Sequence, residues 1–76
     1  MTNQKAKVWV YFSTYGSHKH DVLVIQEGGE PYDTMRCYHK MLDPHQPDFG
    51  RTFSQVMARY LNEQHEVVFL ETPNNN

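Results

Sequence analysis

The side chains that could do chemistry in this chain fall in two short stretches. His18-Lys19-His20 is one, and Cys37-Tyr38-His39 with Asp43, His45 and Asp48 is the other. Thiolate, imidazole and carboxylate are the zinc ligand types, and a structural zinc needs four of them converging. The spacing contains no CxxC, HxxxH or HExxH pair. On a strand, Cys37 and His39 would share a face, which permits joint ligation without requiring it. The plainer reading makes His18 and His20 solvated loop residues and Cys37 a small core side chain. The sequence therefore assigns no metal and no cofactor.

Catalysis fares no better. A cysteine nucleophile needs a neighbouring base and oxyanion donors. His39 stands only two residues from Cys37, and no glycine-rich loop follows. Glu27, Glu30 and Asp33 could supply a carboxylate pair, but they flank a turn, where acidic residues are common for solubility. Gly28-Gly29 leads into neither GK[ST] nor GxGxxG, so it is not a phosphate loop. The expectation is a protein that is not an enzyme.

The elements that would position these residues are those of one small domain. The chain has 76 residues, 38% hydrophobic and 21% charged, with a formal net charge of −2 and one cysteine. No intramolecular disulfide can form, and no apolar run approaches the roughly 20 residues of a membrane helix. Charge this balanced indicates neither a strongly basic nucleic-acid binder nor an acidic mimic of DNA. A core this small gains little net stability, which raises the expectation of a partner or a second subunit. The ends, residues 1–5 and 72–76, are polar, so the ordered part is expected to run from about residue 6 to 72. With no secretory pattern at the N-terminus, the expected compartment is cytoplasmic, with Cys37 reduced.

Lys7 to Tyr15 reads as a strand, with Val8, Val10 and Phe12 alternating with Trp9, Tyr11 and Ser13. A polar break follows, then a second strand from Asp21 to Glu27, then a turn at Gly28-Gly29-Glu30-Pro31. Thr34 to Leu42 fits a strand or a helix, and the preceding turn favours a strand in a meander. Residues 43–50, with two prolines and a glycine, form a loop longer than the usual 4 to 6 residues. Phe53, Val56, Met57, Tyr60 and Leu61 give one apolar helical stripe over Thr52–Gln64, with Thr52 and Gln55 as a capping box. Glu66 to Glu71 is a last strand. The expected fold is α+β in two layers: a single four-stranded, mostly antiparallel sheet, order β-β-β-α-β, with one amphipathic helix on one face. After one crossover the last strand would run parallel to the third, beside either the first or the third.

One helix covers one face of such a sheet, so the other face must meet water, a loop or a partner. The period of two puts Trp9, Tyr11 and Tyr15 on one face of the first strand. Arg36, Tyr38 and Lys40 would extend the same patch if residues 34–42 are a strand. Aromatic anchors with cationic neighbours suit a protein interface. Trp9 and Tyr11 packed under a loop or across a dimer is the plain alternative. The functional expectation is a cytoplasmic protein-binding domain that acts by steric occlusion of a partner surface through Trp9, Tyr11, Tyr15, Arg36, Tyr38 and Lys40. By analogy of size alone, that suits a viral or mobile-element inhibitor of a host machine, such as a defence nuclease complex or a transcription enzyme. Two alternatives use the same face or its edges: a single-stranded nucleic-acid-binding module, and a structural or regulatory homodimer.

Overall fold

The computed structural model describes residues 6–14 and 19–71. Five elements follow in order: β1 (Lys7–Ser13), β2 (Val22–Glu27), β3 (His39–Leu42), α1 (Phe49–Asn62) and β4 (Glu66–Phe69). They form one four-stranded sheet in the order β3-β2-β1-β4. β1 pairs antiparallel with β2, and β2 with β3, while β4 runs parallel to β1. The α+β architecture expected from the sequence is the one found, with the last strand beside the first.

β1 and β2 are central, which accounts for their apolar residues on both faces. Their register sets those faces. Val10 lies opposite Ile25, and Ile25 opposite Lys40. Trp9 lies opposite Gln26, and Gln26 opposite His39. Val8, Val10, Leu23 and Ile25 point to α1 and are buried against Tyr60, with Phe49, Phe53, Val56 and Met57 packed around them. Burial of these side chains, each contributing roughly 1.5–3 kcal/mol, holds the helix on the sheet.

The helix differs from the sequence expectation at both ends. It begins at Phe49 with Asp48 as its cap residue, and no side chain caps it. Thr52 is interior, its N–H donating to the Asp48 carbonyl, so the expected Thr52–Gln55 capping box does not form. Phe49 stacks on Phe53 at 6.0 Å, an apolar pair one turn apart that favours the earlier start. The helix closes after Asn62. Gln64 takes a left-handed conformation, φ 65°, and the His65 N–H returns to the Tyr60 carbonyl. Leu61, expected in the buried stripe, is 61% exposed. Phe49 takes its place, since it falls one turn ahead of Phe53 on the sheet-facing side.

The third strand is also shorter than expected. Only His39–Leu42 pair as a strand, and residues 34–38 are irregular. They belong to a segment, residues 28–38, that folds over the sheet face opposite α1. Tyr11, Val22 and Val24 are buried there, with Trp9 and Leu70 packed on them. Tyr32, itself at φ 72°, sets its ring edge-on to Tyr11 at 4.7 Å, and its hydroxyl donates to the Glu71 carbonyl at 2.6 Å. The Trp9 indole N–H donates to the Gly29 carbonyl at 3.0 Å.

Gln26 is the hub of this cover and is fully buried. Its Oε1 accepts from the Tyr11 hydroxyl at 2.7 Å, and its Nε2 donates to the carbonyls of Gly28 at 2.9 Å and Glu30 at 2.6 Å. Gly29 has φ 75°, and a Cβ there would stand 2.6 Å from the Cys37 sulfur. Glycine is required at that position on both counts.

Candidate protein-interaction edge

The six residues expected to form one binding face are divided by the fold. Tyr11 is 3% exposed beneath the 28–38 segment, and Trp9 is half-buried. Lys7 Nζ lies 5.4 Å from the Trp9 ring. Tyr15 lies outside the described residues. Arg36 lies in the irregular 28–38 segment, and Tyr38 and Lys40 do not extend the Trp9 face. Lys40 is opposite Ile25, and the Tyr38 carbonyl accepts from the Glu27 N–H at 2.9 Å. Both side chains therefore stand on the α1 side of the sheet, whereas Trp9 and Tyr11 stand on the other. The strand parity was readable within each segment, but the pairing register between segments was not.

At the β3 edge the sheet and α1 diverge into a groove of about 370 Å³, lined by Glu27, Tyr38, Lys40, Arg59, Tyr60 and Glu63. β3 positions Tyr38 and Lys40 on one wall. α1 positions Arg59, Tyr60 and Glu63 on the other, at the one-turn spacing that puts side chains on one flank. The floor is a hydrogen bond from the Tyr60 hydroxyl to Glu27 Oε2. Burial, reinforced by the Glu27 carboxylate, pushes the Tyr60 phenol above its ordinary value, so it stays a donor. Lys40 Nζ stands 6.0 Å from the Tyr38 ring. Arg59 Nε meets Glu63 Oε2 at 3.7 Å, an exposed pair one turn apart that contributes little to stability.

Large side chains on β3 and in the residues just before it are exposed. Met35 is 90% exposed and Tyr38 61%, with Met41 also exposed and Arg36 beside them in sequence. β3 is the outermost strand on this side among the described residues. Methionine, tyrosine and arginine are the types enriched at interface centres. The groove brings together two cations, an aromatic face and a paired carboxylate. Arg59 and the Tyr60–Glu27 pair were not legible as site residues. Helical period could say only that Tyr60 faces the sheet, not which strand it meets.

Among the described residues, no histidine and no cysteine lines the groove. The Cys37 thiol donates to the Asp33 carbonyl at 3.0 Å, and Gln26 Nε2 reaches its sulfur at 3.6 Å. His20 and His45 stack at 3.9 Å, and Asp43 Oδ1 meets His20 Nε2 at 2.8 Å while accepting the His45 backbone N–H at 2.9 Å. Among the described residues no three His, Cys, Asp or Glu side chains are arranged to hold a metal ion. His18 lies outside the described residues.

The backbone N–H of His45, followed by the His20 ring, holds the Asp43 carboxyl below its usual 3.8. A depressed carboxyl stabilises the fold above its unfolded value and ceases to do so as pH falls through the folded value. Asp43→Asn should therefore lower the urea midpoint at neutral pH, and the deficit should shrink in acid below the ordinary carboxylate range. An equal deficit at both extremes would remove the linkage.

No helix among the described residues is long and apolar enough to cross a membrane. The chain matches no protein-family model, no curated protein and no solved structure at a significant level.

Proposed function

We propose that this chain is a protein-binding domain that acts by occupying a partner's surface, and that its binding edge is β3 with the groove behind it. Its anchors are Tyr38 and Met35, and Arg36, Lys40 and Arg59 supply charge. What supports this reading is exposed Tyr38 standing with Lys40 and Arg59 around one groove, with exposed Met35 and Arg36 just before it in sequence. An acidic or mixed polar segment of a partner protein fits that wall best, since its carboxylates would meet Lys40 and Arg59. The setting of the reading is cytoplasmic, with Cys37 reduced. It does not depend on the analogy with viral inhibitors.

Trp9 becomes a structural residue in this reading, tied to Gly29, so Trp9→Ala would confound binding with folding. The cleaner test is Tyr38→Ala combined with Lys40→Ala, both on an exposed edge. In affinity recovery from a lysate with a tagged chain, followed by titration against the recovered protein, the double variant should lose about 2 kcal/mol, a factor of about 30. Circular dichroism should be unchanged. A folded variant that binds as tightly as the native chain removes the edge from the function. Nuclease-sensitive recovery that weakens steeply with salt would replace the protein partner with nucleic acid.

A further inference from the structure

The opposite edge of the sheet has a different character. β4 is the outermost strand there among the described residues, pairing only with β1. The Glu66 N–H donates to the Ala6 carbonyl and the Leu70 N–H to the Val10 carbonyl. Strand alternation then turns the N–H and C=O groups of Glu66, Val68 and Leu70 toward β1, and those of Val67 and Phe69 away from it. The large apolar side chains on this flank are exposed: Phe69 is 65% exposed, and Leu61 stands on the side of α1 away from Arg59 and Glu63. Phe12, also exposed, lines with Phe49, Phe53 and Phe69 an apolar cavity of about 240 Å³.

We propose that β4 pairs antiparallel with β4 of a second copy of this chain, about a two-fold axis at Val68. Three observations select a second copy. First, the register closes. With Val68 opposite Val68 of the second copy, Val67 meets Phe69 and Phe69 meets Val67, and these are the residues whose polar backbone groups point outward. Each such pair exchanges two hydrogen bonds, so four outward groups on each chain are satisfied.

Second, the side chains agree. Val67 shares the α1 face with Phe69, because they lie beside Val8 and Val10. Phe69 then packs on Val67 of the second copy and reaches the second Phe69 diagonally, covering its exposed ring. Both helices fall on the same side, with Leu61 on the facing flanks.

Third, the charges permit it. The centre, Val67-Val68-Phe69, carries none. Glu66 falls opposite Leu70 and keeps Lys7 as its neighbour on β1. Self-pairing at β3 would instead bring the Lys40 side chains of two copies to one seam, and a lysine on an edge strand is a device by which edges resist pairing. The two edges are thus specialised: β4 toward the chain's own copy, β3 toward a partner.

The test is sedimentation equilibrium of the full chain over a wide concentration range, joined to hydrogen exchange. The native chain should approach twice its 9.0 kDa mass as concentration rises. The Val67 and Phe69 amides should slow in step, while Val68, already bonded to β1, should not change. Phe69→Lys should hold the chain at the monomer mass with an unchanged circular dichroism spectrum, and Met41→Lys, on the β3 edge, should leave association intact. A native chain that stays monomeric at the highest concentration overturns the proposal. So does association lost in Met41→Lys but retained in Phe69→Lys. If Phe69→Lys fails to fold, amide exchange in the native chain decides alone, and concentration-independent Val67 and Phe69 amides overturn it.

Discussion

Tyr60→Ala should lower the stability of the domain by about 3–5 kcal/mol, as buried aromatic-to-alanine changes do. Tyr60 is the single buried residue of α1, and its ring joins Val8, Val10, Leu23 and Ile25 in the core. Its ring edge also meets His65 at 5.1 Å, beyond the helix end. Removing it opens the core and strips Glu27 of its donor. Folding stabilities are about 5–15 kcal/mol, and a domain of this length falls toward the lower end. The variant should therefore be close to unfolded at ambient temperature. Tyr60→Phe separates the two contributions, since it keeps the ring and removes only the hydroxyl. It should cost about 1.5–3 kcal/mol, the range for a hydrogen bond to a charged group. Urea unfolding at neutral pH measures both. A Tyr60→Phe variant as stable as the native chain would show that the hydroxyl contributes nothing.

The same pair predicts an alkaline limb. Burial and then Glu27 raise the Tyr60 phenol above 10.0. A group whose folded value is raised stabilises the fold below its unfolded value and less as pH rises beyond it. The native chain should lose stability above about pH 10, and Tyr60→Phe should lose less. Parallel losses in the two proteins would mean another group titrates there.

Gln26→Ala should cost about 2–4 kcal/mol and release the cover from the second sheet face. The arithmetic is in the partners. Tyr11 loses its acceptor, and the carbonyls of Gly28 and Glu30 lose their donor. Gln26→Leu restores apolar volume without restoring those partners, so it should rescue little. The readouts are urea unfolding and Trp9 fluorescence, which should shift to the red as residues 28–38 loosen from the indole. If Gln26→Leu matches the native chain, packing rather than hydrogen bonding holds the cover.

What was legible in the sequence was what repeats locally. Alternation in Val8–Phe12 and Val22–Ile25 gave the central strands, and the spacing from Phe53 to Tyr60 gave the helix and its buried side. What was not legible depended on long-range choices. Residues 34–38 alternate well enough for a strand, but two left-handed glycines and Tyr32 bend the chain over the sheet, where Gln26 holds it. Tyr38 and Lys40 joined the helix side because register, which no single segment states, decides which parity faces which layer. Gln26 left a trace: one amide at the end of the apolar run Val22–Ile25. A polar residue on a central strand must be satisfied somewhere, and its partners came from the turn that follows. Arg59 left none.

The position of β1 bears on how the chain is made. β1 leaves the ribosome well before one of its two neighbours, since β4 lies more than fifty residues later in sequence. Translation at roughly 5–20 residues per second leaves that side of β1 without its strand for seconds. The β1–β2 hairpin can form early because its pairing is local, whereas the parallel β1–β4 pairing must wait until β2, β3 and α1 have been made. During that interval Val8 and Val10 lack both β4 and α1. The nascent protein is most vulnerable to wrong pairing then, and slower elongation through residues 43–65 would prolong the exposure.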